Sequence, residues 1–564
     1  MRCFLLLLAC CFSTFGFAHQ YGDIVISELL VDTEPPIGEK AVEYLEIYNR
    51  TKNDIQLKGF WLQFGEKRCV LPEGILYADS FAVLCAQSSV EFLPKNCAKI
   101  PCVSFPSLTN SSGKLALISS LNEVLFSLNY RDTWYGSAFK AEGGWSLECK
   151  DLSNFSGLSN NWTASIDERG GTPGRPNSVS CPNQDDLLPR CDYFTIPTNH
   201  TIELYFNKTM DAASLHNTAA YKLSPEISLI VKATSNSPYN QVVTLQLSDT
   251  LELGIPYNLD VSGLYDVSQL LLSDTVLMLG LPEKPDFDSF RLNEVLFNPK
   301  PTGCDYVEIV NTDTRWLDLS EMLLANRSQD GSLGKAYPLT GLHQVSSPGS
   351  IWLLSVSSDS VCHAGNFPRM PNFINMDHLP AYNDDAGSVV LLTKSGEILD
   401  EMTYSKNMHF ELITNPEGVA LEKLNPRFES AEPTSWASGA SAMGFGTPGF
   451  KNAHYVEDAP VFTTIFDAKQ TWMTPNNDGQ DDCIQLNYRC ETPSLVNLFI
   501  FDMQGRCIKT LAKSDLLGAT GCYIWNGTDD HGRIVACGRY LLFTEVFNAK
   551  SCVSRQKMVL TVLY

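Results

Sequence analysis

One module is written twice in this chain, and a repeat of that length limits the possible folds more than any single residue does. Asp23-Ile-Val-Ile-Ser-Glu28-Leu and Glu43-Tyr-Leu-Glu46-Ile-Tyr-Asn49 return as Phe290-Arg-Leu-Asn-Glu294-Val-Leu and Asp305-Tyr-Val-Glu308-Ile-Val-Asn311. Each copy closes alike. The first has Ser146-Leu-Glu148, Asn161-Trp162, Gly171-Thr-Pro-Gly174 and Asn177; the second has Ala420-Leu-Glu422, Ser435-Trp436, Gly446-Thr-Pro-Gly449 and Asn452. Offsets between paired positions run from 262 (Glu46 to Glu308) to 275 (Thr172 to Thr447). A duplicated module with other material between its copies points to a modular protein rather than a single-site enzyme.

The local pattern is that of strands. Ile24-Val-Ile, Tyr44-Leu-Glu-Ile-Tyr, Phe60-Trp-Leu-Gln-Phe, Phe81-Ala-Val-Leu and Leu115-Ala-Leu-Ile are short apolar runs bounded by Gly, Pro, Asn or Asp. No helical stripe of period 3.6 is sustained. With 37 Gly, 30 Pro and 19% charged residues, the composition favours turn-rich β structure. The first copy therefore reads as a sandwich of seven or more strands, and the chain as an all-β array of tandem immunoglobulin-like sandwiches. Trp162 and Trp436 read as plugs at a sandwich end. Asn383-Asp-Asp-Ala-Gly387 reads as a hairpin turn.

Residues 1–18 place Arg2 before an apolar stretch that ends in Gly16 and Ala18, as a secretory leader does. A lipoprotein signal with its box at Leu7-Leu-Ala-Cys10 is the rival reading. No later segment has the roughly 20 apolar residues of a membrane helix, so the chain is expected to be secreted or held at a cell surface. Of 18 cysteines three lie in the leader, and export would let the remainder oxidise. Cys97 with Cys102, and Cys181 with Cys191, are candidate short closures. The six at Cys483, Cys490, Cys507, Cys522, Cys537 and Cys552 permit 15 pairings.

Taken in order, these motifs resemble known families. The Ser/Asn-Glu strand, Tyr-x-Glu-Ile-x-Asn, Leu-Glu, Asn/Ser-Trp and Gly-Thr-Pro-Gly of residues 19–180 and 286–454 resemble the lamin-tail domain. The run Phe206-Asn-Lys-Thr-Met210-Asp211, within 190–281, resembles the Phe-Ser-x-x-Met-Asp turn of bacterial Ig-like modules from surface-layer proteins. In 460–564, beyond a hinge at Glu457-Asp-Ala-Pro460, three motifs resemble the FlgD-like Ig fold: Thr474-Pro-Asn-Asn-Asp478-Gly479, Asp502-Met-Gln-Gly505-Arg506 and Trp525-Asn-Gly527. Asn477 and Asn526 stand where that fold usually has Gly and Asp. Related terminal domains in Bacteroidetes act in type IX sorting or surface attachment, so secretion machinery is an implied partner.

Little in the sequence suggests catalysis. There is no His-Glu-x-x-His, Gly-x-Ser-x-Gly or Walker loop. Glu28, Glu46, Glu294 and Glu308 could pair for acid–base work, but recurrence at equivalent places in a repeated module reads as structural. Asn476, Asp478 and Asp482 offer hard oxygen ligands that suit Ca²⁺; an Asx-rich turn is the alternative. The formal net charge of -23 opposes nucleic-acid binding. Eight Asn-x-Ser/Thr triplets, including Asn49, Asn154 and Asn161, are taken as chance in a bacterial-type domain set. The expected role is a non-enzymatic secreted or cell-surface scaffold or adhesion protein. The alternatives are binding of carbohydrate or another macromolecule, with Trp61, Trp134 and Trp145 available for stacking, or service as an accessory to an exported hydrolase or nuclease.

Overall fold

The computed structural model describes residues 19–37, 41–225, 229–456, 465–476, 480–490, 494–548 and 553–563. The leader and the hinge at Glu457–Pro460 lie outside the described residues. The chain divides into two compact units: Met1–Asp192, His200–Asp249 and Asn258–Leu277 make one, and Tyr193–Asn199, Thr250–Tyr257 and Met278–Tyr564 the other. The architecture is all-β, as the alternation of short apolar runs with turns implies. No helix among the described residues is long and apolar enough to cross a membrane.

In the first unit the first copy of the module is a two-sheet sandwich. One sheet runs in the order Trp162–Ala164, Leu147–Cys149, Ile24–Leu30, Tyr44–Asn49, Phe81–Ala86, Lys99–Cys102. The facing sheet runs Val124–Arg131, Ser112–Ile118, Trp61–Phe64, Lys67–Val70. Ile26, Leu45, Leu84, Leu62, Leu117 and Phe126 fill the space between them. The second copy, in the second unit, repeats this wiring strand for strand. Its first sheet is Trp436–Ser438, Leu421–Lys423, Phe290–Leu296, Tyr306–Asn311, Ile351–Ser355, Phe373–Asn375. Its second is Ile398–Ser405, Ala386–Thr393, Met322–Ala325, Tyr337–Pro338. Even the irregularities recur. The last strand of each first sheet pairs in parallel, and a bulge interrupts the pairing between Ile26 and Glu28 and again between Leu292 and Glu294.

That bulge has a consequence for burial. An extra residue in one strand turns the next side chains to the other face. Glu28 and Leu30 thus share the outer face of the sheet with Tyr44 and Val83. Leu30, Tyr44, Val83, Cys85, Leu93 and Cys97 form a second apolar cluster there, and Leu296, Tyr306, Leu353, Val361, Phe373 and Ala420 form its counterpart. Each copy therefore buries both faces of its central strands, and every residue of Ile24–Leu30 is buried.

In the middle segment of the first unit, Thr201–Phe206, Val242–Leu247 and Ile230–Ser235 form an antiparallel sheet. The Phe206–Asp211 turn is fixed by two devices. Met210 is buried, and Asp211 caps the short helix Ala212–Leu215 by accepting from Ser214 N at 2.7 Å. Lys208, inside the same turn, is fully buried. Its Nζ lies 2.7 Å from Asp185 and 2.6 Å from Asp266, so one cation ties the segment after the first copy to this sheet.

The C-terminal part of the second unit has a three-stranded sheet, Ile465–Asp467, Ile484–Arg489, Thr520–Trp525. A five-stranded one runs Trp472–Met473, Val553–Val562, Gly538–Asn548, Ser494–Asp502, Cys507–Leu517. Its two Asp-x-x-Gly-Arg turns are built identically. Asp502 Oδ1 accepts from the backbone of Gln504 and Arg506, and Asp529 Oδ1 from that of His531 and Arg533, all at 2.9 Å. Gly505 and Gly532 supply the positive φ.

One expected turn is placed differently. Asn383–Gly387 leads into the strand Ala386–Thr393, and its hairpin with Ile398–Ser405 turns instead around Gly396, φ +90. Tyr404 OH donates to the Asn383 backbone carbonyl and Lys406 Nζ to the Asp385 carboxylate across the strand ends.

Candidate functional site

The recurring glutamates come together in a row. In the first copy Glu28 pairs with Glu46 on one side and Glu148 on the other; in the second, Glu294 pairs with Glu308 and Glu422. All six are fully buried. The repeat identified Glu28, Glu46, Glu294 and Glu308. The third member of each row was visible only as part of a Leu-Glu motif, because strand register is not written in local sequence.

The Gly-Thr-Pro-Gly segment is the lid of this row. Thr172 donates its backbone N–H to Glu28 at 2.7 Å, and its hydroxyl lies 3.2 Å from Glu28 and 3.1 Å from Glu148. Gly174 N donates to Glu46. Tyr44 OH donates to Glu28 at 2.7 Å, Ser27 to Glu46 at 2.8 Å and Ser178 to Glu148 at 2.7 Å. The second copy matches: Thr447 N and hydroxyl donate to Glu294, Gly449 N to Glu308 at 2.6 Å, and Tyr306 to Glu294. Asn177 then bonds the carbonyls of Ser27 and Cys149, as Asn452 bonds those of Asn293 and Lys423.

The glycines follow from this geometry. A Cβ on Gly171 would fall 2.5 Å from Tyr44 OH and 2.7 Å from Glu28 Oε1; on Gly446 it would fall 2.7 Å from Tyr306 OH and 2.8 Å from Glu294 Oε1. Gly174 and Gly449 have φ of +80 and +83, and their open faces lie against Cys97 and Met370. The motif's residues are thus fixed by close approach to carboxyls as well as by chain direction at an exit.

Burial raises Glu28, Glu46, Glu294, Glu308 and Glu422. Glu28 is pushed up to about 7 by burial and then by neighbouring Glu148. Glu46 is held well above the carboxylate range by burial and Glu28, and Glu308 and Glu422 by burial and Glu294. Three carboxyls in one dry row cannot all ionise. The Thr172 hydroxyl has one proton to donate, so its second contact is satisfied by a carboxyl O–H donating to it.

The second row is less complete. Ala453 stands where Ser178 closes the first. Among the described residues Glu422 Oε1 and both ring nitrogens of His454 make no hydrogen bond. Burial lowers His454 to about 4, which keeps it neutral.

The other expected sites are dispersed. Beside Asn476 and Asp482, Thr474 N bonds Asp481 O at 2.8 Å and Asp481 has φ +53; Asp478 lies outside the described residues. Trp61 and Trp145 are half-buried under Arg68 and Lys140, at 4.0 and 4.1 Å, and Trp134 packs against Trp162. The three form no exposed row; Trp472 is the exposed tryptophan. Trp162 and Trp436 are buried, and Asn49, Asn154 and Asn161 are too. Cys97 and Cys102 face apart: Cys102 points into the inner core, while Cys97 belongs to the outer cluster.

No protein-family model matches the chain, and no curated protein does. Solved structures give long but loose alignments. Domains 1–6 of the surface-layer protein SbsC align at 13% identity over 67% of this chain and 54% of that one, TM-score 0.16. Dimeric latent PorU from Porphyromonas gingivalis aligns at 10% over 79% and 40%, TM-score 0.15. A tetra-tandem repeat of a large adhesion protein aligns at 10% over 96% and 99%, TM-score 0.13. The chain spans about half the length of the surface-layer structure.

Proposed function

We propose that the chain is a non-enzymatic exported scaffold or adhesion protein. In this reading two lamin-tail-like modules and a bacterial Ig-like module make up the scaffold, and a FlgD-like terminal module serves export or attachment. One observation carries it. The residues that recur between the copies are consumed by the fold: each carboxyl row is sealed by its own Gly-Thr-Pro-Gly lid, and its donors come from within the module. A site that held substrate would leave such groups facing a cavity. The apolar leader and the cysteine count support export. The test is a hydrolase screen of the purified mature chain (esterase, phosphatase, glycosidase and nuclease substrates). The expected result is no turnover; turnover abolished by Glu28→Gln or Glu294→Gln with the fold retained would overturn the proposal.

A further inference from the structure

Four thiols cluster at one edge of the first copy, and their placement divides them into two pairs. Cys69 lies on the edge strand Lys67–Val70 of one sheet, and Cys102 ends the edge strand Lys99–Cys102 of the other. Both are 1% exposed and both belong to the inner core. Across the sandwich each is the largest influence on the other's thiol, Cys102 lowering Cys69 and Cys69 raising Cys102. Cys85 and Cys97 sit on the opposite face of the Lys99–Cys102 sheet, in the outer cluster beside the lid glycine Gly174.

We propose that Cys69 and Cys102 form an inter-sheet disulfide in the exported protein. The second copy supplies the comparison. Ser355 pairs with Asn375 there as Cys85 pairs with Pro101 here, so the next residue, Met376, occupies the place of Cys102, and it is buried in the core. The module thus folds with an apolar side chain at this position, and the first copy's cysteine pair adds a cross-link to an architecture that stands without it.

The chemistry is thiol–disulfide exchange with an external disulfide. The thiolate of one cysteine attacks a sulfur of that reagent and releases one thiol. The second cysteine's thiolate then displaces the reagent's remaining half as a second thiol. One protein S–S bond forms, the reagent's S–S bond breaks, and the two protein thiols lose two protons and two electrons overall. Contact with Cys102 lowers Cys69 to about 7, which favours it as the attacking sulfur. Because both sulfurs are sealed in the core, exchange occurs while the sandwich is open, and the finished bond is shielded from reductant.

The full-length chain, folded with oxidised and reduced glutathione, is alkylated in denaturant without reduction. It is then cut with trypsin and Glu-C, the latter separating Cys69 from Cys85 at Glu73. The expected product is a Cys69 peptide joined to a Cys102 peptide, 2 Da lighter than the separate pair by loss of two hydrogens. It survives dithiothreitol in the native state and is lost in denaturant. Recovery of both cysteines alkylated, or of either joined to Cys85 or Cys97, overturns the proposal. Cys102→Met, which installs the second copy's residue, is expected to keep the β circular dichroism and to remove the reductant-dependent Tm shift, of order 5 °C. A shift that persists in that variant overturns it as well.

Discussion

Glu28 and Glu148 face each other on paired strands, both fully buried, and a single hydroxyl, that of Thr172, bridges them at 3.2 and 3.1 Å. The lid is therefore fastened to the row by groups that need a proton between two acids, and the fastening depends on pH. Glu28 is raised from its ordinary value to about 7. A raised acid holds its proton in the fold and loses it on unfolding. Its stabilisation is therefore complete below about pH 4.5 and disappears as pH rises through about 7. The shift corresponds to about 3 kcal/mol. Calorimetry of the full-length chain is expected to show a first-unit transition that falls between about pH 4.5 and pH 7, and Glu28→Gln is expected to flatten that dependence.

The second copy isolates the hydroxyl. Thr447 donates both its N–H and its O–H to Glu294. Thr447→Val keeps the shape and the backbone bonds but removes the 2.7 Å hydroxyl donor of Glu294 Oε2, leaving it only the shared Thr447 N–H at 3.1 Å, which costs about 1–3 kcal/mol. Denaturant unfolding of the variant against the parent chain reads this directly. An unchanged midpoint would show that the hydroxyl does not fasten the lid.

Glycine substitution tests the close approach. Gly171→Ala drives a Cβ onto Tyr44 OH and Glu28, whereas Gly74 has open space around it and Gly74→Ala meets nothing. The first is expected to displace the lid and cost about 2 kcal/mol or more, as overpacking does. Tryptic cleavage at Arg169, just before the lid, should accelerate in Gly171→Ala alone.

How much of this was legible beforehand differs by residue. The duplication and the strand-forming runs were plain, because apolar alternation is a local property. Glu28 and Glu46 stood out by recurrence, but their alignment with Glu148 depends on a bulge after Ile26, and pairing register is a long-range property that no window of sequence contains. The supposed Cys97–Cys102 closure followed from short spacing; the intervening strand sends the two side chains to opposite faces of its sheet. Asn383–Gly387 had turn composition, yet its polar groups cap strand ends. Backbone freedom explains only part of the lid's need for glycine; the carboxyls beneath Gly171 and Gly446 are a long-range feature that the motif itself does not contain.

Lys208 is a further point where burial sets the size of an effect. Its cation sits between Asp185 and Asp266, with side-chain exposures of 0%, 5% and 0%. Lys208→Met leaves two acids buried without their cation, a change that typically costs about 4 kcal/mol. Faster proteolysis of the 181–189 segment should accompany it. Lys208→Met combined with Asp185→Leu is expected to recover part of the loss.

The most direct test of the scaffold reading is fractionation of the native host, with antibodies to both ends of the chain and protease shaving of intact cells. The protein is expected in the medium or on the outer surface, accessible to protease, with the terminal module either cleaved or anchoring it. Retention of the full-length chain inside the cytoplasm would contradict export, and with it the proposed role.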